Sequence, residues 1–295
     1  MEFANLKEAM LASSYHLNKR MDELLSIDGA DSKIMEAMRY SALSTGKRIR
    51  PFLLMAVANI FDYPTASCLD IACAIEFVHV YSLIHDDLPA MDNDDYRRGK
   101  LSNHKKFDEA TAILAGDGLL TLAFEIIAST NEIKDNYIKI EMIKVLSNSI
   151  GYRGMVGGQM IDIENSSKVI SKEFIANIHR LKTGELFMAS SELGAVIANA
   201  SSSERKTIRF FANDLGLAFQ IKDDILDHRG VDIGKTEIDE IAHKKPKKNT
   251  SIVDIIGLNN CEKQLVLLRE QAKSHLKIFG QKAQLLNELT DYLLN

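Results

Sequence analysis

Proline is scarce in this sequence, and that scarcity favours long uninterrupted helices. The chain has 4 prolines among 295 residues, and a proline inside a helix removes a backbone hydrogen bond. The stretch Leu69–His85 has neither Gly nor Pro and only two charged side chains, so most of its surface is predicted to be buried. In Lys172–Ala200 and Glu204–His228, apolar residues recur at three and four positions, the spacing of a helix face. Because no alternating pattern extends beyond a few residues, the sequence predicts an all-α fold.

No linker divides the chain. No stretch rich in Pro, Gly or Ser interrupts it, and a hydrophobic content of 46% is ordinary for a globular protein. We therefore predict a single domain over residues 1–295 with about ten or more helices, although the length alone leaves two domains open.

Composition excludes several classes of protein. The net charge is -5, and a nucleic-acid binder usually has a basic face; the one basic run, His243–Lys248, is typical of a solvated loop. Cys68, Cys73 and Cys261 show no CxxC pairing, which favours a reducing compartment. The charge-free runs are too short for a membrane span, and the first residues do not resemble a secretion signal. We expect a cytoplasmic protein without a membrane span or a nucleic-acid partner.

Aspartates crowd the segment that follows the first apolar helix, His85–Asp95. Two carboxylates about 4–5 Å apart repel each other by roughly 3–4 kcal/mol at an effective dielectric constant near 20. Water, basic partners or a hard cation must offset that repulsion. Because Pro89 disfavours continuation of the helix, we predict an end or kink near Leu88 that lets Asp92 fold back toward Asp86.

A second acidic group lies in Phe219–Asp227. Asp223 and Asp227 are four residues apart and share one helix face, where like charges destabilise a helix. Taken singly, either acidic group is as typical of a solvated surface or helix cap as of a binding site. Together, in apolar stretches where unmatched charge is costly, they predict two acidic helix ends facing one cavity. Since Mg²⁺ bridges carboxylates and phosphate oxygens, a phosphate-bearing substrate is the natural third partner.

Basic residues occur where such a substrate would need them. Gly46–Pro51 is a basic turn before a helix start, and helix N-termini favour anions. Arg97 and Arg98 follow the first acidic group, and Lys182 lies in an apolar helix. Any one of them alone is more typical of an ordinary surface charge. Several basic residues in or beside apolar helices, together with two acidic groups, indicate a phosphate site, because arginine forks match phosphate oxygens.

Five motifs appear in order along the chain: GKRIRP, HDDLPAMDNDDYRRG, GGQMID, LKTGEL and FQIKDDILD. With them the sequence resembles the short-chain trans-prenyl diphosphate synthases, most of all the bacterial farnesyl diphosphate synthases. The resemblance implies an isoprenoid synthase-type helical bundle around a deep central cavity, as a homodimer. It also implies a Mg²⁺-dependent enzyme, with several ions per site and Mn²⁺ as a substitute. The expected reaction condenses isopentenyl diphosphate with dimethylallyl or geranyl diphosphate to give farnesyl diphosphate and pyrophosphate.

The resemblance also assigns roles to individual residues. The metal ligands would be Asp86, Asp87, Asp92, Asp223, Asp224 and Asp227. The allylic diphosphate would be bound by Arg97, Lys182, Thr183, Gln220 and Lys235. Isopentenyl diphosphate would be bound by Lys47, Arg50, His79 and Arg98. The catalytic group among these would be Asp86, Asp92, Arg97, Lys182 and Asp223.

Product length is assigned to Tyr81 and Ser82, which precede Asp86 by five and four residues, or about 6–7.5 Å along a helix. In this family bulk at these positions forms the floor of the tail pocket, so Tyr81 implies a fifteen-carbon product. Geranylgeranyl diphosphate synthases share the DDLPAMDNDD-like stretch and remain the alternative.

The sequence departs from the family pattern in four places. Thr45 replaces a glycine before the basic turn, and Lys222 stands where a less charged residue is common. The segment 227–235 is two residues shorter than in similar enzymes, so the role assigned to Lys235 is the least secure of these assignments. Lys248 stays unassigned, because the Tyr and Pro that follow the lysine in the family motif are missing here.

Three other functions compete with this interpretation. A class I terpene cyclase shares the fold, but it usually has an Asn/Ser/Glu metal motif instead of the second aspartate motif and leaves the basic turn without a purpose. A non-catalytic helical subunit typically loses one aspartate motif, and both are intact here. A calcium-binding module is disfavoured because no EF-hand spacing is present.

Overall fold

The computed structural model describes residues 5–26, 32–165, 171–230 and 251–294, and these are almost entirely helical. In the first half of the chain the α-helices are α1 (Leu6–Leu24), α2 (Lys33–Ala42), α3 (Ile49–Ile60), α4 (Leu69–Asp86), α5 (Asn103–Lys106), α6 (Glu109–Ser129) and α7 (Asn136–Ile150). They continue as α8 (Met155–Asn165), α9 (Lys172–His179), α10 (Glu185–Ile197), α11 (Ser202–His228), α12 (Ile252–Ile256), α13 (Leu258–Leu276) and α14 (Gln284–Leu294). In these ranges the strands are confined to β1 (Tyr96–Arg97) and β2 (Lys100–Leu101), which pair antiparallel. The all-α prediction is confirmed.

The three helices predicted from the sequence are present, with one interruption that the sequence did not predict. Leu69–His85 corresponds to α4, and Glu204–His228 corresponds to α11, which starts two residues earlier behind a capping box made by Ser201. The predicted helix Lys172–Ala200 is divided by a π-helical turn at Arg180–Gly184 and ends at Ile197. No proline or polar connector marks this turn in the sequence.

The described residues form two compact units. The first contains α1, α2 and α4–α6, and the second contains most of α3 and the helices from α7 onward. The sequence shows no change of composition at these borders. The single domain over residues 1–295 therefore stays a prediction, as does the deep cavity.

Helix α4 is the core of the first unit. It packs along α6 and also contacts α1 and α2. Every residue from Ile71 to Val78 is buried, with Phe77 completely enclosed. A helix that is apolar around its whole circumference gains most when other helices surround it, and that is the position α4 occupies.

Helices α10 and α11 are the core of the second unit. Every residue of α10 from Leu186 to Ile197 is buried, and α10 packs against α7 and α11 while α11 packs along α13. Glu192 is the one charged residue in that buried run. Its carboxylate accepts hydrogen bonds from Arg205, at 2.7 Å, and from Arg209, which matches its charge.

Two described helical stretches, Thr65–Asp86 and Glu109–Ser129, are long and apolar enough to span a membrane by length and composition. In the first, 67% of the most apolar window is buried, and both helices pack along each other. Core helices pass the same test, so the two stretches do not contradict the prediction that the chain has no membrane span.

Close helix packing predicts that substitution by alanine is tolerated at one glycine and destabilising at another. A Cβ on Gly194 would lie 2.3 Å from the carbonyl oxygen of Leu54, whereas the nearest atom to a Cβ on Gly184 is 3.6 Å away. We expect Gly194→Ala to lower the free energy of unfolding by about 1–3 kcal/mol, since the backbone must shift. Gly184→Ala is the matched control and should be tolerated. Equal denaturant midpoints for the two variants would contradict the close approach of Gly194 to the backbone of Leu54.

Candidate active site

The chain reverses direction directly after α4, as Pro89 predicts. Helix α4 ends at Asp86, and the backbone N–H of Asp92 donates to the carbonyl of Asp86 at 2.9 Å. The N–H of Asn93 donates to the Leu88 carbonyl at 3.1 Å, and Asn93 has a φ of 55°, which asparagine tolerates better than most residues. The predicted return of Asp92 to Asp86 is confirmed at the level of the backbone.

Asp87 anchors Arg97 inside this turn. Its side chain is buried and accepts hydrogen bonds from Nε of Arg97, at 2.9 Å, and from Nη2. Burial raises the pKa of Asp87 to about 6, although the charge of Arg97 opposes that rise. A charge-assisted pair of this kind fixes the direction of a guanidinium. The second aspartate of the motif therefore holds a basic side chain beside the first.

A short hairpin presents both arginines. Arg97 pairs with Lys100 across β1 and β2, and the two turn residues Arg98 and Gly99 have φ values of 53° and 76°. Positive φ at both central residues is the geometry that matches the twist of a two-residue hairpin. Gly46 permits close approach of Arg98, because a Cβ there would lie 2.8 Å from Nη1 of the arginine. The hairpin and the basic turn are thus in direct contact.

His79 lies among arginines in the first unit. Nη1 of Arg50 is 3.5 Å from Nε2 of His79. Close packing around the imidazole, with Arg50 and Arg98 nearby, lowers the pKa of His79 well below its ordinary value. The ring is therefore neutral at pH 7. Lys47 is exposed on the same basic turn.

The residues assigned to product length lie five and four residues before Asp86, a little more than one turn of α4. Tyr81 is buried, which raises the pKa of its hydroxyl to about 12, and its ring meets that of His85 edge-on at 5.7 Å. The hydroxyl of Ser82 donates to the carbonyl of His79 at 2.8 Å. Tyr81 therefore fills space inside the first unit and does not lie on its surface.

In the second unit the π-helical turn carries Lys182 and Thr183. Nζ of Lys182 donates to Asp162 at 2.8 Å, and a Cβ on Gly158 would lie 2.5 Å from the backbone nitrogen of Lys182. Helix α8, which carries the GGQMID motif, is therefore packed tightly against the turn. π-helical turns inside α-helices are frequent at functional sites.

Helix α11 carries the second aspartate motif. The hydroxyl of Thr183 donates to Oε1 of Gln220 at 3.1 Å, and Nε2 of Gln220 donates to Asp223 at 3.2 Å. This chain of hydrogen bonds joins the π-helical turn to the first aspartate of the motif. Asp227 is exposed in the last turn of α11.

Asp224 holds neighbouring segments together. Its Oδ2 accepts the backbone N–H of Ile252 at 2.9 Å and lies 4.0 Å from Nε2 of His179. The carboxylate therefore links α11 to α12 and α9. Like Asp87, it is the second aspartate of its pair, and it too fixes a neighbour.

The structure thus brings most of the predicted site residues into two local sets. The first unit holds Lys47, Arg50, His79, Tyr81, Ser82, Asp86, Asp87, Asp92, Arg97 and Arg98. The second holds Lys182, Thr183, Gln220, Asp223, Asp224 and Asp227. Lys235, Lys248 and the run His243–Lys248 lie outside the described residues. Sequence reasoning missed Asp162 and His179; only the presence of Asp162 in GGQMID pointed to it.

Among the described residues, no three His, Cys, Asp or Glu side chains come together as a ready-made metal cage. The donors present fit a hard cation, because Asp86 and Asp92 offer carboxylate oxygens from one turn and Asp223 adds another in its own unit. Mg²⁺ usually takes one or two carboxylates and fills its shell with water and phosphate oxygens.

Comparison with known proteins identifies the class. The Polyprenyl synthetase family matches residues 31–289. Farnesyl diphosphate synthase from Micrococcus luteus is 42% identical over 90% of this chain and 85% of its own length. Chloroplastic geranylgeranyl pyrophosphate synthase from Capsicum annuum is 38% identical over 98% of this chain and 78% of its own. The crystal structure of an FPP/GFPP synthase from Zymomonas mobilis superposes with a TM-score of 0.88 at 36% identity, covering 98% of this chain and 99% of that one.

The chain belongs to the Polyprenyl synthetase family, and it is a prenyl transferase. Enzymes of this family are generally dependent on a divalent metal. The resemblance inferred from the five motifs is confirmed.

The contacts of the second aspartate motif predict that replacing Asp224 destabilises the fold, whereas replacing Asp227 does not. Asp224→Ala should lower the free energy of unfolding by about 1–3 kcal/mol, because the buried N–H of Ile252 loses its acceptor. Asp227→Ala is the control and should not destabilise, since a carboxylate at a helix C-terminus is unfavourable. Denaturant unfolding measures both, and a larger loss for Asp227→Ala would contradict the assignment.

Proposed function

We propose that this enzyme condenses isopentenyl diphosphate with dimethylallyl or geranyl diphosphate and releases farnesyl diphosphate and pyrophosphate. The observation that carries the proposal is the turn after α4, which returns Asp92 to Asp86 while Asp87 holds Arg97 beside them. Such a turn places carboxylates and a guanidinium within one loop, the combination that a metal-bound diphosphate requires.

Each set of residues has a role in this proposal. The aspartates Asp86, Asp92, Asp223 and Asp227 would hold Mg²⁺, with Mn²⁺ as a substitute, and Asp87 and Asp224 would support them. The bound metal would supply the charge that stabilises departing pyrophosphate. Binding of the allylic diphosphate is assigned to Arg97, Lys182, Thr183, Gln220 and Lys235. The convergence of the two sets on one cavity stays a prediction.

Isopentenyl diphosphate would bind at the basic turn. Lys47 and Arg50 leave the turn at the start of α3, and Arg98 reaches the same turn from the hairpin. Neutral His79 would contribute one N–H donor, because its Nε2 already faces Arg50. Arginines preorganised in this way bind diphosphate without first having to reorient.

Chemistry requires that the allylic C–O bond ionise before the new bond forms. The pair Arg97–Asp87 fixes a positive charge where the leaving group develops negative charge. The double bond of isopentenyl diphosphate then attacks the allylic cation, and a proton is lost to the released pyrophosphate. The apolar, buried surface around Tyr81 would keep water away from the cation.

A geranylgeranyl product is the second candidate, because the Capsicum annuum relative is almost as similar as the Micrococcus luteus one. The buried ring of Tyr81 favours the shorter product. The match to prenyl synthetases disfavours a terpene cyclase. The homodimer and the cytoplasmic location belong to this proposal as well, and light scattering measures the first.

The direct test combines purified protein with isopentenyl and geranyl diphosphates and Mg²⁺, followed by identification of the product alcohol. We expect farnesol, no turnover in EDTA, and recovery when Mg²⁺ is restored. Asp92→Asn should lower kcat by about 100-fold or more. Asp95→Asn is the matched control from the same run, since Asp95 is exposed and pairs with Lys105 at 3.0 Å. Turnover that persists in EDTA, or equal losses in the two variants, would overturn the proposal.

Product length depends on the bulk of Tyr81. Tyr81→Ala should shift the product from fifteen carbons toward twenty or more, because it removes a large buried ring five residues before Asp86. Tyr81→Phe keeps the bulk and should leave the product unchanged. Chromatography of the product alcohols measures the ratio at equal conversion, so a loss of rate does not affect the result. An unshifted distribution in Tyr81→Ala would refute the assignment.

A further inference from the structure

A fully buried ion pair lies behind the basic turn. Nη1 of Arg48 donates to Oε1 of Glu76 at 2.6 Å, and both side chains are 2% exposed. Glu76 is in the apolar helix α4, where an unmatched carboxylate would be costly. A buried pair of this kind is weak evidence for stability, because desolvation offsets much of the attraction. The presence of the Arg48–Glu76 pair therefore needs an explanation other than stability.

The rest of the Arg48 guanidinium is also occupied. Nε donates to the side chain of Asn18 at 3.0 Å, and Nη2 donates to the carbonyls of Ala42 and Ser44 at 2.9 and 2.7 Å. These acceptors lie on α1, at the last residue of α2 and on the segment just after it. With Glu76 they hold one arginine from three parts of the first unit.

The backbone of Arg48 adopts a conformation that an L-residue adopts only when it is held. Its φ is 51°, in the left-handed region that is unfavourable for a side chain with a Cβ. Its carbonyl accepts the N–H of Phe52 at 3.1 Å, so the residue directly before α3 accepts the first hydrogen bond of that helix. Lys47 and Arg50 lie on either side of it. The directions of both basic side chains therefore depend on the anchored residue between them.

The charge of Glu76 also acts on Arg98, which reaches the basic turn from the hairpin. Its charge raises the pKa of Arg98 against the lowering caused by burial, and Arg98 packs against Gly46. Glu76 is three residues before His79 and so lies on the same side of α4. One carboxylate thus pairs with Arg48 and also acts through its charge on Arg98.

We propose that Glu76, acting through Arg48, is a positioning residue that sets the basic turn for the diphosphate of isopentenyl diphosphate. The inference rests on the proposed function. Neither residue is expected to touch the substrate, because both side chains are only 2% exposed. Their effect is on the affinity for one of the two diphosphates only.

The test is Glu76→Gln, which keeps the size of the side chain and removes its charge. We expect the KM for isopentenyl diphosphate to rise about tenfold or more, since small displacements of binding groups have effects of this size. The KM for geranyl diphosphate should change less than about twofold. Calorimetric titration of isopentenyl diphosphate into the protein should show the same loss of affinity without turnover.

Glu192→Gln is the matched control, because Glu192 is also a buried carboxylate that accepts hydrogen bonds from arginines, and it belongs to the second unit. It should lower the melting temperature and leave both KM values unchanged. If both variants raise the two KM values equally, or if Glu76→Gln raises neither, the inference is wrong. If the wild-type protein fails to extend geranyl diphosphate, the proposed function is wrong instead.

A second variant separates positioning from stability. The double variant Arg48→Met with Glu76→Leu replaces the ion pair by apolar side chains, which often restores stability. We expect its melting temperature to return toward that of the wild type while the KM for isopentenyl diphosphate stays raised. If the melting temperature and the KM both return to the wild-type values, the pair only stabilises the fold and the inference is wrong. This variant also decides the question if Glu76→Gln does not fold.

Discussion

Repulsion between neighbouring carboxylates is the constraint on which the site depends. Five aspartates lie within the ten residues that start at Asp86, the last residue of α4, and an unsupported run of this kind would spread into water. Here the second aspartate is buried against Arg97, and backbone hydrogen bonds return Asp92 to Asp86. The second motif follows the same principle, with Asp224 bound to the N–H of Ile252. In both motifs one carboxylate is used for structure, and its neighbours are the aspartates that the proposed function assigns to the metal.

The basic side chains are placed by the same means. Arg97 is directed by Asp87, Lys182 by Asp162, and the turn between Lys47 and Arg50 by the buried pair Arg48–Glu76. Fixed charges that need no reorganisation stabilise a developing negative charge better than mobile ones. In this interpretation the acidic partners hold the basic groups in fixed positions.

Local features of the site could be predicted from the sequence. Pro89 predicts the end of α4, and the apolar stretch before it predicts a buried helix; both depend on residues close together in the chain. Long-range contacts could not be predicted in this way. Glu76 and Arg48 are 28 residues apart, and nothing in either segment alone pairs them. The π-helical turn at Arg180–Gly184 has no marker, because its side chains continue the helical pattern. The close approach of Gly158 to the backbone of Lys182 is a contact between segments that are distant in the sequence. The left-handed φ of Arg48 is likewise a consequence of tertiary contacts.

The central claim is that paired carboxylates and a divalent metal together hold a diphosphate. Calorimetric titration of inorganic pyrophosphate into the purified protein, with and without Mg²⁺, tests it most directly. The account predicts binding that is at least about 100-fold tighter with Mg²⁺, which corresponds to roughly 2.8 kcal/mol. Equal affinity in the presence and absence of the metal would contradict it.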